Sequence, residues 1–240
     1  MKRIILHIDV NSAFLSWSAV KLLEEGYKKD IRNEIAVVAG DPKKRHGIIV
    51  AASIPAKKLG IKAPINLYEA RRKYKDLIVV KPDYSYYYQK SKSMMDFLKK
   101  LFPEFQQYSI DECFIEYTSM KRIYGDEVKF AYKLKDEIYK RFGFTVNVGI
   151  GNNKLCAKMA SDFEKPDKIH TLYDYEVDTK MKNLPIDELF GIGKKTSEKL
   201  KQMGIKTIND LANYNLASLK KVFKNLAIDM INSANGINYD

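Results

Sequence analysis

The chain has 240 residues, and 42 Lys and Arg against 30 Asp and Glu leave a formal charge of +12. Hydrophobic residues make up 45% and aromatic residues 12%, ample for two domains or one domain with a satellite, which excludes general disorder. The basic excess favours a polyanionic partner. Cys113 and Cys156 lack Cys-x-x-Cys spacing, which argues for reduced thiols in a cytoplasmic protein and against a zinc site or disulfide framework. No apolar run reaches the ~18 residues of a membrane span. His7, His46 and His170 are scattered without ligand spacing and read as packing or surface residues.

Residues 1–9 read as a buried strand ending on a carboxylate, Asp9. The basic start and Ile4-Ile5-Leu6 imitate a signal peptide only briefly, because His7 and Asp9 interrupt them and no cleavage site follows. Asn11 or Ser12 is placed to cap a helix over 13–25, with Gly26 as its stop. Ala13, Phe14, Trp17, Val20 and Leu23 fill its apolar side, so core packing is the plain reading of Phe14. Segments 34–39 and 47–52 read as strands joined by a basic turn at 40–46. A short helix from Ser53 stops at Gly60, and its N-terminus, with Lys57 one turn in, suits an anion. A helix over 66–74 and a buried strand at 77–80 follow. A long helix runs from Asp83 to about Lys100; Tyr84, Tyr86, Tyr87 and Tyr88 point all round it, so packing is expected for most.

Strands at 105–109 and 113–117 flank the acids Asp111 and Glu112. On a regular strand one of two adjacent acids would enter the core, where unpaired burial is costly. A turn or bulge lets both converge on a cation, although for the pair taken alone a polar hairpin turn is the plain reading. An amphipathic helix over 126–141 and a strand over 144–150 come next. The order β, α, β-hairpin, α, β implies a split βαβ sheet with helices on one face. That topology places Asp9 and Asp111 on neighbouring strands. The glycine-bearing passage from Gly149 to Ser161 lacks the spacing of a nucleotide-binding P-loop and runs on to Lys165-Pro166. Residues 170–183 read as a linker with a short acidic helix. Leu189–Leu200, then Met203-Gly204-Ile205, is similar to a helix-hairpin-helix. There the backbone N–H groups of Gly191 and Gly193 turn toward a DNA phosphate, and Lys194, Lys195 and Lys199 add sequence-independent attraction. Helical segments at about 209–222 and 224–234 close the chain.

Three acids at the ends of apolar strands offer hard oxygen donors to a divalent cation. Two such ions about 3.5–4 Å apart would clamp the attacking and leaving oxygens of a phosphoryl transfer. Asp-Val-Asn-Ser-Ala-Phe at 9–14 and Ser-Ile-Asp-Glu-Cys-Phe at 109–114 resemble the catalytic motifs of the Y-family DNA polymerases, the lesion-bypass enzymes of the DinB/UmuC type. Blocks 51–62, 149–166 and 189–205 also resemble that family, in its order.

The resemblance implies an α+β fold. A ferredoxin-like palm with an antiparallel sheet (1–12 and 81–170) would carry small α/β fingers (13–80) and a small all-α thumb with a helix-hairpin-helix (171–240). It implies template-directed transfer from dNTP to a primer 3′-hydroxyl, with two Mg²⁺ ions, or Mn²⁺ in their place. Asp9, Asp111, Glu112 and the Val10 carbonyl would hold the metal. Phe14 would be the steric gate against ribose, and Ser53, Lys57 and Lys165 would serve the triphosphate. The family usually has Tyr where Ile54 stands and Arg where Lys57 stands, which implies weaker nucleotide affinity; Phe190 stands where Pro is frequent. The family's little-finger domain has no counterpart, so a truncated or natural short form with poor DNA affinity is expected. Primer–template DNA and dNTP are the implied partners of a cytoplasmic monomer with no membrane contact, and a sliding clamp would be met through the missing C-terminal region. Two alternatives stand beside this reading: a catalytically impaired DNA-binding fragment or scaffold, and a palm-type nucleotidyl cyclase.

Overall fold

The computed structural model describes residues 2–40 and 47–238. The expected turn at 40–46 and His46 therefore lie outside the described residues, save Gly40. In chain order the elements are β1 (Ile5–Val10), α1 (Ala13–Glu24), β2 (Ala36–Ala39), β3 (Ile49–Ala52), α2 (Ile54–Lys58), α3 (Leu67–Lys73) and β4 (Ile78–Val80). Next come α4 (Tyr84–Leu101), β5 (Phe105–Gln107), β6 (Glu112–Glu116), α5 (Lys121–Tyr124), α6 (Glu127–Phe142), β7 (Val146–Gly151), α7 (Lys154–Asp162) and β8 (Ile169–Leu172). The chain continues through α8 (Lys194–Gln202), α9 (Ile208–Ala212), α10 (Leu216–Phe223) and α11 (Leu226–Ala234). None of the described helices is long and apolar enough to cross a membrane.

The palm sheet has the order β5-β6-β1-β7-β8. Period-2 alternation divides its central strands cleanly. Leu6, Ile8 and Val10, with Cys113, Ile115, Val146, Val148 and Ile150, face α4 and α6 and build the main core. Ile5, His7 and Asp9 take the opposite face, as do Glu112 and Phe114 by register. That second face was expected to be bare of helices. It is partly covered by α7, because Gly149 and Gly151 leave room for it. A Cβ on Gly149 would stand 1.9 Å from the Ala157 carbonyl oxygen, and one on Gly151 2.6 Å from the Ala157 nitrogen.

The expected linker at 170–183 starts with β8, which pairs parallel to β7 from Val148↔Ile169 onward. A short strand containing His170 and Thr171 carries too little apolar alternation to show in sequence. The fingers sheet, β3-β2-β4, is covered by α2 and α3 on one face and by α1 on the other. Helix α1 serves two cores: Ala13, Trp17 and Val20 enter the palm, while Leu15 and Ala19 face the fingers sheet. In the thumb, Leu200, Ile205, Leu211, Leu219 and Met230 pack around Leu155, Cys156 and Met159 of α7. Helix α7 thus joins the thumb core to the second face of the palm.

Candidate active site

The site is built on that second face. Asp9 and Glu112 are direct register partners of β1 and β6, so their carboxylates leave the same side of the sheet. Glu112 is therefore a strand residue, not a turn residue as expected. Only Asp111 sits in the turn, where its Oδ1 accepts from the Ser109 hydroxyl at 2.6 Å. The Ser109 oxygen accepts from the Asp111 and Glu112 amides, both at 3.2 Å. Val10 donates its N–H to the Asp111 carbonyl at 3.1 Å, which binds the turn to the end of β1.

Each strand acid carries a cation. Lys165 forms an ion pair with Asp9 and also reaches Asp162 at 2.8 Å. Lys158 forms an ion pair with Glu112, whose other partner is His7 Nε2 at 2.9 Å. The Lys158 ammonium also lies 5.3 Å from the Tyr108 ring centroid and 5.1 Å from that of Phe190. Burial pushes the Asp9 carboxyl above its ordinary value, more than Lys165 lowers it; the Asp111 charge adds to the rise. Burial works the same way on Glu112, but the hydrogen bonds from His7 and Lys158 outweigh it and hold the group at about 2. Burial would lower the Lys165 ammonium, yet Asp9 and Asp162 raise it above its usual value.

His7 was read as packing or surface. It is 1% exposed, yet hydrogen-bonded within the site, with Nδ1 2.8 Å from Ser161 Oγ. Its place two residues before Asp9 on one strand was a usable signal, since i and i+2 share a face. Ser12 was read as a helix cap. It occupies the N-cap of α1 at φ +46° with no capping bond, and its hydroxyl accepts from Lys57 Nζ at 2.9 Å. Lys57 thereby reaches across from the fingers. Burial and the charges of Lys165 and Lys62 depress its ammonium.

Ser53 does not join this group. It is wholly buried, donates to the Glu34 carbonyl at 2.6 Å and accepts from the Ala36 and Ala56 amides, both at 3.2 Å. Its hydroxyl is consumed as the cap of α2, which overturns the expectation of a phosphate ligand. Phe14 is half-buried, its ring stacked on Tyr87 at 5.0 Å and set edge-on to Tyr84 at 6.0 Å. Packing was expected for most of the α4 tyrosines; Tyr87 is buried, but Tyr84 and Tyr88 face solvent. In the thumb, Gly191 adopts φ +90°, which a side chain would strain, and Gly193 caps α8. Lys194, Lys195 and Lys199 are exposed along that helix. An open cleft of about 400 Å³ runs between hairpin and thumb, lined by Gln106, Tyr108, Lys154, Phe190 and Gly191.

Among the described residues no three His, Cys, Asp or Glu side chains are drawn together as a finished metal cage. The donor chemistry nevertheless fits a hard divalent ion: Asp9, Asp111 and Glu112 supply oxygen alone. The pairing of Asp9 with Glu112, and the Asp111 charge felt by Asp9, put all three at one end of the sheet.

The fold is thus a five-stranded palm sheet with its acids at the shared end of β1 and β6, and with a small helical thumb beyond it. The impB/mucB/samB family model matches residues 8–162, and the model of that family's helix-hairpin-helix motif matches 175–205. The chain belongs to the impB/mucB/samB family. It is 48% identical to DNA polymerase IV of Clostridium acetobutylicum over 99% of its own length and 60% of that protein's. It is 36% identical to DNA polymerase IV of Clostridium kluyveri over 99% of this chain and 58% of that one. The chain thus spans about 60% of the length of such curated relatives. DinB from Sulfolobus solfataricus superposes with a TM-score of 0.82 at 26% identity, covering 97% of this chain and 67% of that one. An insertion ternary complex of Dbh DNA polymerase gives 0.87 at 26% identity, covering 99% and 68%.

Proposed function

We infer that the chain is the catalytic core of a lesion-bypass DNA polymerase that transfers nucleotides from dNTP to a primer 3′-hydroxyl under template direction. The observation that carries this is the register pairing of Asp9 with Glu112, with Asp111 beside them and Lys57 and Lys165 on the flank. The relatives named DNA polymerase IV and the ternary complex among the structural neighbours support the same reading.

Asp9, Asp111, Glu112 and the Val10 carbonyl would hold two Mg²⁺ ions, for which Mn²⁺ can substitute. A metal held by these residues would supply charge to lower the pKa of the primer hydroxyl and to offset that of the leaving pyrophosphate. The protein's own contribution is positioning. Lys57 and Lys165 meet the triphosphate as point charges, which a lysine supplies without the bidentate fork of arginine. Phe14, held flat on Tyr87, closes the space beneath the sugar where a 2′-hydroxyl would fit. The backbone of Gly191 to Gly193 and the lysines of α8 hold a DNA phosphate without reading sequence. The protein works as a cytoplasmic monomer on primed DNA.

Primer extension with Mg²⁺ tests this directly. Wild type extends a primer, and Asp111→Ala loses about 100- to 1000-fold in rate with an unchanged unfolding midpoint, the size of loss seen when charge stabilisation of a transition state is removed. Extension by Asp111→Ala at the wild-type rate would end the catalytic assignment.

A further inference from the structure

Lys165 stands on the loop between α7 and β8, and two asparagines hold that loop from beneath. Asn147 is wholly buried on β7, directly across the register from Asp9. Its Nδ2 donates to the Ser161 carbonyl at 2.9 Å and to the Glu164 carbonyl at 2.6 Å. Its Oδ1 accepts from the Lys168 amide at 3.1 Å and from Asn11 Nδ2 at 2.9 Å. Asn11, 6% exposed, accepts on Oδ1 from the Asp167 amide and the Thr145 hydroxyl, both at 2.9 Å. Asn147 thus uses its full complement of two donors and two acceptors. The pair binds the backbone at 161, 164, 167 and 168, on both sides of Lys165.

An apolar pair of the same size would strip those four loop groups of their partners, the Ser161 carbonyl in a buried setting and the other three in part-buried ones. That loss explains why the positions are polar. It does not explain their location, which the sheet supplies. Asn147 is the cross-strand neighbour of Asp9, and Asn11 follows Asp9 by two residues. The loop is therefore fastened to the same short stretch of sheet that carries the acid.

We propose that Asn147 and Asn11 are positioning residues for nucleotide binding: they clamp the loop that presents Lys165, and so set its ammonium relative to Asp9. The inference rests on the reading of Lys165 as a triphosphate contact. Neither asparagine touches substrate; both act through the placement of one lysine.

The experiment compares Lys165→Ala, Asn147→Asp and the double variant in the full 240-residue chain. Asp keeps the acceptor of Asn147 but turns its donated bonds to Ser161 and Glu164 into carboxylate–carbonyl repulsion. The measurements are thermal unfolding, dNTP binding to the chain saturated with dideoxy-terminated primer–template, and the split between KM and kcat. In Asn147→Asp, dNTP affinity falls about tenfold and KM rises more than kcat falls. In the Lys165→Ala background the same change adds no more than about twofold, because residues acting through one another are non-additive. A tenfold loss carried undiminished into the Lys165→Ala background, or unchanged affinity in Asn147→Asp where Lys165→Ala binds weakly, overturns the clamp. Unchanged affinity in Lys165→Ala overturns the triphosphate contact itself, a separate failure. If Asn147→Asp does not fold, Asn11→Ala, which removes the acceptor for Asp167, is judged by the same criteria.

Discussion

Every carboxylate in the cluster is met by a group that would have to yield to a metal ion. Glu112 is shared between His7 and Lys158, and the Lys158 ammonium lies over the rings of Tyr108 and Phe190. Removing one unit of positive charge a few ångströms from an incoming cation is worth more than about 1 kcal/mol even at an effective dielectric near 20. Lys158→Met should therefore bind Mn²⁺ about tenfold more tightly than wild type. Electron paramagnetic resonance titration of free Mn²⁺ checks this without any turnover, and equal or weaker binding counts against a metal site at Glu112. The acids themselves were readable, because charges that end apolar strands are conspicuous in sequence. Their partners were not. His7 meets Glu112 across a separation of 105 residues, and only the strand pairing brings them together. Ser53 misled for a local reason: a serine that caps a helix looks the same in sequence as one that faces a ligand.

At the level of the elements, the closeness of α7 to the sheet decides where both lysines fall. A side chain at position 149 would collide with backbone, which cannot rotate away, so the helix itself must move. Gly149→Ala should destabilise the protein by about 3 kcal/mol, at the upper end of overpacking costs. Urea unfolding measures the change, and a loss below about 0.5 kcal/mol would mean that α7 does not sit this near. Most element boundaries were legible to within a few residues from apolar period, and Asn66, Asp83 and Asp126, where three helices were expected to start, accept from the first turns of α3, α4 and α6. The β8 strand was not, since a short half-buried edge strand has no strong period. Nor was the second helical face, because it depends on what two glycines omit.

Across the whole molecule the charge of +12 is concentrated to effect only where the fold gathers it. Lys194, Lys195 and Lys199 project from one short helix beside an exposed glycine hairpin. Neutralising them should weaken DNA binding equally for all sequences and reduce the slope of log K against log salt by about 1 for each lysine removed. Fluorescence anisotropy with primed DNA over a range of NaCl measures this, and an unchanged slope would remove α8 from the interface. The three-part architecture was legible from the order of its motifs. That α1 lies in two cores, and α7 against both palm and thumb, was not, because a helix buried on two sides differs little in sequence from one buried on a single broad side.

The antiparallel match of β1 with β6 has a bearing on which length changes the gene can tolerate. Deleting any single codon between Leu6 and Ile8 would invert the alternation for part of the strand, presenting an aliphatic residue where the carboxylate belongs and sending the carboxylate inward. A conservative substitution at one of its aliphatic positions keeps that alternation, but a frame-preserving loss of one residue does not. Deletion scanning should therefore find a sharp band of intolerance there.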